Sequence, residues 1–176
     1  MKNYLFALLI FFTATALAQT DTRIYDIIQK VSAKNIEADI TTLANFGTRN
    51  TFSDTLSSTR GIGAARRWIK AEFQQISSNC TNCLEVFYQK DLVKATTSKR
   101  VPKDTWVVNV VAIQKSKTGS NRYIIISGDI DSRNSDGSDF IKDAPGANDN
   151  ASGVAMLLEL AKYFKENPLD YNVMII

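Results

Sequence analysis

The sequence predicts an α/β protein in which a mixed β-sheet is flanked by helices. Two observations lead to this prediction. Three segments have the length and pattern of strands, at residues 84–92, 106–113 and 123–127, and polar segments separate them; the third is a short β-branched run. From residue 123 onwards the order is strand, loop, helix and strand, which is the order of a parallel crossover unit.

Helices are predicted on the N-terminal side of these strands. Apolar residues recur at helical spacing in two short segments, at Ile24, Ile27, Ile28 and Val31 and again at Ile36, Ile40 and Leu43. A longer amphipathic helix follows, with its apolar face at Ile62, Ala65, Ile69, Phe73 and Ile76. We expect Ser57, Ser58 or Thr59 to cap this helix, and Gly61 and Gly63 to cost little in its first turn.

The connections between the strands predict how they pair. Polar segments at residues 95–104 and 115–122 favour antiparallel pairing of the three successive strands. The next helix opens near Ser152 and Gly153, stops at Asn167-Pro168, and leads to a last strand at residues 173–176. We therefore expect a parallel, right-handed crossover, with a ligand site beyond the carboxyl ends of the parallel strands.

Acidic residues occupy that predicted edge of the sheet. Asp129 and Asp131 follow a strand, and Asp149 precedes the crossover helix. Such carboxylates can converge as hard oxygen ligands, for which a divalent cation is the natural counter-charge. An acid-rich loop is otherwise typical of a solvated turn. An EF-hand is excluded, because Arg133 and Asn134 stand where that loop needs an acid or amide and a glycine.

Two motifs in this region resemble metallopeptidase family 28, the secreted zinc aminopeptidases and their relatives. They are GDIDS at residues 128–132 and APGANDNASGVA at residues 144–155, and the segment Phe46-Gly47-Thr48-Arg49 also resembles the family. The resemblance implies a zinc exopeptidase (phosphorylase/hydrolase-like) architecture with two zinc ions. It further implies that Asp149 bridges the metals and that Asp131, as a catalytic residue, orients the ligand two positions before it.

One ligand position departs from the family pattern. Asp129 stands where the family usually has a zinc-binding histidine, and the chain contains no histidine. An aspartate oxygen can ligate zinc, so we expect Asp129 to be a metal ligand together with Asp149. A harder, more anionic site also tolerates calcium, magnesium or manganese.

The two ends of the chain carry further expectations. Lys2, an apolar run at residues 4–12 and Ala16-Leu17-Ala18 predict a signal peptide over residues 1–18, with cleavage before Gln19 and a secreted or periplasmic protein. The apolar run is shorter than the about 20 residues of a membrane span, so no stable membrane association is expected.

Residues 171–176 have the composition of an opening strand. We therefore expect residues 19–176 to be the N-terminal part of a single metallopeptidase-like domain, truncated at Ile176 before the family's general base and inactive alone.

Cys80 and Cys83 are spaced as a C-x-x-C pair between a helix and a strand. In an exported protein this pair favours a local disulfide. A redox role or half of a zinc site are the alternatives, but the pair follows a helix instead of preceding one and no second pair completes a zinc site.

Composition narrows the classes of function. The net charge is +3 and the basic residues are scattered, which argues against nucleic-acid binding. The favoured hypothesis is a secreted metal-dependent exopeptidase of the aminopeptidase type, which hydrolyses peptide or protein substrates with a water activated by two metals. The alternatives are a catalytically inactive binding domain with the peptidase fold and a truncated inactive product.

Overall fold

The computed structural model describes residues 21–176, so the predicted signal peptide lies outside the described residues. The chain forms two units, one ending at Ser32 and the other running from Ala33 to Ile176. The described part of the first unit is helix α1 (Thr22–Lys30), whose N-cap residue Asp21 accepts the backbone N–H of Arg23 at 3.0 Å. The helix predicted from the apolar spacing is thus confirmed.

The second unit is built on a four-stranded mixed sheet. Its strands are β1 (Leu84–Val93), β2 (Thr105–Gln114), β3 (Tyr123–Ile126) and β4 (Asn172–Ile175), in the order β1-β2-β4-β3. Strand β2 is antiparallel to both β1 and β4, whereas β3 and β4 are parallel. The predicted mixed sheet and the parallel pair across the crossover helix are confirmed.

The expected antiparallel pairing of β2 with β3 is wrong, because β4 lies between them. The burial of the two strands gives the physical reason. Val173 and Ile175 of β4 are 1% and 3% exposed, whereas Ile125 of β3 is 64% exposed. Both strands have four residues, and the buried strand β4 lies between β2 and β3, whereas the more exposed strand β3 lies at the edge of the described sheet.

Three helices of the second unit share one hydrophobic core with the sheet. They are α2 (Ala33–Ala44), α3 (Gly61–Ser78) and α4 (Ser152–Glu166). Each contributes buried apolar side chains that pack with alternate residues of the strands, including Leu43, Phe73, Leu158, Ala112 and Val173. The helical spacing of apolar residues in the sequence therefore identified the buried faces. No helix among residues 21–176 combines the length and the apolar character needed to cross a bilayer.

The turn from α3 into β1 is closed by side chains as well as by the backbone. Cys80 and Cys83 form a disulfide in this turn. The Ser77 hydroxyl donates to the Leu84 carbonyl at 2.9 Å and accepts the Leu84 N–H at 3.1 Å. These contacts join the end of the helix to the first residue of the strand.

The start of α3 differs from the expectation that Ser57, Ser58 or Thr59 caps it. Arg60 occupies the N-cap position and its side chain makes no capping hydrogen bond. Ser53 instead accepts the Ile62 N–H at 2.9 Å, and the Gly63 N–H donates to the Asp54 carbonyl at 3.1 Å. The preceding loop thus folds back onto the first turn of the helix and supplies the missing acceptors.

This close approach explains the glycine at position 63. A Cβ on Gly63 would collide with the backbone of Thr55, including its carbonyl oxygen. From the sequence we expected only that Gly63 costs little helix stability in the first turn. The structure shows that the contact between the loop and the helix requires a glycine at this position.

Replacing Gly63 with alanine tests this contact. We expect Gly63→Ala to lower the free energy of unfolding by about 1–3 kcal/mol, because the loop backbone must move away from the helix. Urea denaturation followed by circular dichroism measures the loss. Gly137→Ala is the matched control, since its Cβ would meet only Arg133 Nη1, at an ordinary contact distance of 3.7 Å. A larger loss in the control than in Gly63→Ala would contradict the packing argument.

Candidate functional site

Asp129 and Asp131 lie together just beyond the end of β3. Both side chains are exposed, and both line a cavity of about 290 Å³. The Thr51 hydroxyl donates to Asp131 Oδ2 at 3.1 Å. The backbone before the two acids is held by the sheet, because the Gly128 N–H donates to the carbonyl of Ile176 at 3.0 Å. Two of the three predicted site residues therefore share one cavity at the carboxyl end of the parallel strands.

Asp149 lies in a different segment, the turn at Ala147–Ala151 that leads into α4, and its backbone there is not helical (φ -121°, ψ 91°). Its side chain is exposed, and it follows Gly146, which has a left-handed backbone with φ 47°. The Asp149-Asn150 peptide bond is cis. The Asn150 side chain accepts the Gly153 N–H at 3.0 Å, a contact that turns the chain into the helix. Asp149 does not line the cavity that contains Asp129 and Asp131.

Arg49 connects the backbones of the two acidic segments. Its side chain is 1% exposed. The guanidinium donates to the carbonyl of Ile130 at 3.0 Å and to those of Pro145 and Gly146 at 2.6 and 3.0 Å. A further bond reaches the carbonyl of Leu43 at 2.9 Å, at the end of α2. Ile130 stands between Asp129 and Asp131, so one side chain holds that loop and the segment preceding Asp149.

Ser132 completes this connection. Its hydroxyl accepts the Arg49 N–H at 3.0 Å and donates to the Ala144 carbonyl at 2.6 Å. The Ala144 N–H donates to the Gly47 carbonyl at 2.7 Å, next to a parallel bridge between Thr48 and Ala144. The serine of the GDIDS motif therefore has a structural role, since it joins the acidic loop to the strand-like segments on both sides.

The charge of Arg49 is not neutralised by an ion pair within residues 21–176. Burial lowers the pKa of the Arg49 guanidinium, and the negative charge of Asp131 opposes that shift. Arginine keeps its proton at neutral pH, so the site contains a permanent positive charge beside its carboxylates.

The donor atoms fit part of a zinc site. Carboxylate oxygens are accepted ligands of zinc and other divalent cations. A catalytic zinc needs three protein ligands, however, and residues 21–176 contain no group of three or more histidine, cysteine or acidic side chains placed to hold a metal ion. Asp129 and Asp131 line one cavity, Asp149 does not line it, and the metal-binding roles of all three stay predictions.

Sequence reasoning missed the roles of Arg49, Thr51 and Arg66 at this site. The only indication in the sequence that Arg49 has a role at the site was the family resemblance of the segment that ends at this residue. Thr51 belongs to a stretch of asparagine, threonine and serine that is typical of a solvated loop. Arg66 lies in the middle of a helical pattern, yet it is buried and lines the cavity of Asp129 and Asp131.

Comparison with known sequences places this region in a family context. Residues 109–176 match the model of Peptidase family M28. A probable zinc metalloprotease of Leptosphaeria maculans is 41% identical over 142 residues, which cover 81% of this chain and 32% of the relative. One of Pyrenophora teres f. teres is 40% identical over 144 residues, which cover 82% and 31%. The chain thus spans about a third of the length of these relatives.

Solved structures share the fold. A leucine aminopeptidase precursor from Bacteroides thetaiotaomicron has a TM-score of 0.60 at 19% identity, over 82% of this chain and 46% of that one. Tannerella forsythia glutaminyl cyclase has a TM-score of 0.61 at 19% identity, over 82% and 45%. A Zn-dependent exopeptidase from Parabacteroides distasonis has a TM-score of 0.59 at 19% identity, over 82% and 45%. The zinc exopeptidase architecture expected from the sequence is confirmed.

The role of Arg49 is tested by removing its donors. We expect Arg49→Met to lower the free energy of unfolding by about 3 kcal/mol or more, because each buried carbonyl left unpaired costs about 1–3 kcal/mol. Urea denaturation measures this change. Arg133→Met is the matched control, since Arg133 is exposed and lies in the same acidic loop. Equal stability of the two variants would contradict the assignment.

Proposed function

The chain carries a segment of peptidase family M28 at residues 109–176, and from that premise we propose that the protein is a zinc-dependent metallopeptidase. The observation that carries the proposal is the pairing of Asp129 and Asp131 in one cavity, inside the matched segment and at the carboxyl end of the parallel strands. Ligand sites of open α/β sheets lie at this edge. The names of the relatives, probable zinc metalloproteases, support the same reaction class.

The residues of the chain have separate tasks in this proposal. Zinc, when bound, would polarise the scissile carbonyl of a peptide. Asp129 offers a carboxylate oxygen as ligand, and Asp149 offers a second from the turn before α4. Asp131, which the Thr51 hydroxyl orients, positions the neighbouring ligand. Ligands beyond these are required, because a catalytic zinc site needs three protein ligands.

We further propose that the substrate is a peptide or protein, cleaved from its amino terminus, and that two metal ions take part. A leucine aminopeptidase precursor among the proteins that share the fold supports the first point, and the family resemblance of Asp149 supports the second. Residues 19–176 alone are expected to be inactive, since the described carboxylates do not form a complete ligand set.

A second candidate is a binding domain that has the peptidase fold but does not catalyse hydrolysis. Two observations favour it: Asp129 replaces the family's usual histidine, and no group of three metal-binding side chains occurs in the described part of the chain. The two candidates differ in one measurement, since only the first predicts hydrolysis that a chelator abolishes.

Removal of one ligand charge tests the peptidase proposal. In the complete protein we expect Asp149→Asn to reduce hydrolysis of aminoacyl p-nitroanilides by about 100-fold or more, because an amide cannot replace a ligand carboxylate. Asp136→Asn is the matched control, since the Asp136 side chain is exposed and bonds only to nearby Ser138 within residues 21–176. Asp129→His should bind zinc at least as tightly as the original protein.

Full activity of the Asp149→Asn variant would rule out a ligand role for Asp149. If the unmodified protein bound zinc but did not hydrolyse the substrate, the result would favour the binding domain.

Export is proposed from the N-terminal sequence, and it has its own test. We expect the mature protein collected outside the cytoplasm to begin at Gln19 and to contain Cys80 and Cys83 joined to each other, because an oxidising compartment preserves such a bond. Intact-mass and peptide mass spectrometry measure both features. Met1 on the exported protein, or two free thiols, would contradict the proposal.

A further inference from the structure

Arg66 is a buried cation whose guanidinium has no partner among residues 21–176. It lies on α3 and is 7% exposed. Its guanidinium makes no hydrogen bond and no ion pair with any of residues 21–176, and the buried Nε has no acceptor. The other two arginines near the start of α3 behave differently. Arg60 pairs with Asp143 at 2.6 Å, and Arg67 donates to the Thr55 carbonyl at 2.9 Å.

The position of Arg66 places this cation between two cavities. It lines the cavity of about 290 Å³ that contains Asp129 and Asp131. It also lines a neighbouring cavity of about 870 Å³, and the two cavities share Thr51 and Val108 in their walls. A group bound to Arg66 would therefore lie next to the candidate site.

A buried charge is normally paired with an opposite charge, because the free energy needed to remove it from water is far larger than the free energy gained from one ordinary hydrogen bond. Asp131 does not fill this role: its charge acts on Arg66, but no oxygen of Asp131 comes within the 4.0 Å of an ion pair. The phenol of Tyr88 donates to the backbone carbonyl of Arg66 at 3.4 Å and leaves the guanidinium unoccupied. The planar fork of donors therefore remains available to a ligand.

The larger cavity has the charge and surface that suit an organic anion. Lys90 and Lys103 line it together with Arg66. Of its two carboxylates, Asp104 is paired with Lys94 at 2.8 Å, and Asp54 accepts the backbone N–H groups of Leu56 and Ser57. Trp106, which is 57% exposed, adds an apolar surface for the uncharged part of a ligand.

We propose that Arg66 binds a carboxylate of the peptide substrate, in the wall between the two cavities and beside Asp129 and Asp131. This inference rests on the proposed peptidase function and names its substrate class: peptides with an acidic side chain or with a nearby C-terminal carboxylate. The guanidinium fork matches the two oxygens of a carboxylate, which a neutral amide cannot reproduce.

Binding of small capped amino acids to the intact chain tests the site without requiring hydrolysis or metal. Isothermal titration at low ionic strength compares N-acetyl-glutamate amide, which has only a side-chain carboxylate, with N-acetyl-alanine, which has only a terminal one. N-acetyl-glutamine amide is the neutral control ligand. We expect at least one of the two acids to bind about tenfold or more tightly than the neutral ligand. The better of the two acids identifies the source of the carboxylate. Equal affinities for all three ligands would overturn the proposal.

Two variants assign the binding to Arg66. We expect Arg66→Met to lose the preference for the acid, and Arg66→Lys to keep part of it, because lysine retains the charge but not the fork. Lys115→Met is the matched control, since Lys115 is an exposed cation that pairs with Glu85 at 3.1 Å and lines neither cavity. An unchanged preference in Arg66→Met would overturn the proposal.

Thermal unfolding separates a ligand-binding arginine from a structural one. Because Arg66 has no partner to lose among the described residues, we expect Arg66→Met to unfold at the same temperature as the original protein or at a higher one. A marked loss of stability would assign Arg66 a structural role instead. Failure of the peptidase assay with the carboxylate preference intact would count against the proposed function alone. A hydrolytic protein with no carboxylate preference would count against Arg66 alone.

Discussion

The geometry of the candidate site depends on one buried guanidinium. The segments around residues 43–49, 130–132 and 144–146 meet with little regular pairing between them, apart from the single bridge of Thr48 and Ala144. Their buried carbonyls need donors, and Arg49 supplies bonds to four of them. A guanidinium suits this task because its donors point in fixed directions within one plane. Its burial is tolerated because the carbonyl dipoles replace the water that the charge has lost.

The sheet and Arg49 position different parts of the site. The ladder between β3 and β4 sets where the chain leaves the sheet, and the Gly128 N–H continues that ladder by one bond. Beyond Gly128 the backbone follows contacts to Arg49 and Ser132 instead of strand pairing. Asp129 and Asp131 lie where the strand pairing ends and these contacts begin. Their backbone is therefore held from two directions, while their side chains stay exposed to solvent.

The sequence predicted the elements and the acidic cavity more successfully than the contacts between them. Apolar spacing is a local signal, so it identified α3, α4 and the four strands. Asp129 and Asp131 are two residues apart just beyond a strand, which predicted that their side chains project the same way, and both line one cavity. The insertion of β4 between β2 and β3 depends on which strand is buried more completely. The sequences of β2, β3 and β4 are too similar in apolar character to predict which of them is buried most. The bonds of Arg49 join segments 81 to 97 residues apart and leave no periodic pattern in the sequence. The lack of a partner for Arg66 within residues 21–176 likewise depends on contacts between distant segments, which leave no pattern in the sequence.

Within residues 21–176 the Arg49 guanidinium donates hydrogen bonds to main-chain carbonyls only, and this has a consequence for how the site can diverge over evolution. A carbonyl is present at every position whatever the side chain, so the bond to position 130 does not depend on which residue stands there. Gly146 is constrained for a different reason, since its φ is +47° and a Cβ on it would collide with the Asp149 carbonyl oxygen and the Ser132 side chain. The residues on either side of the carbonyl at position 130 can change while the loop keeps its path. An aspartate can therefore arise at position 129 in place of the histidine usual for the family without loosening the backbone that presents it. Under the function proposed above, a change of donor atom at position 129, and with it a change of metal preference, becomes accessible to a lineage through a single substitution.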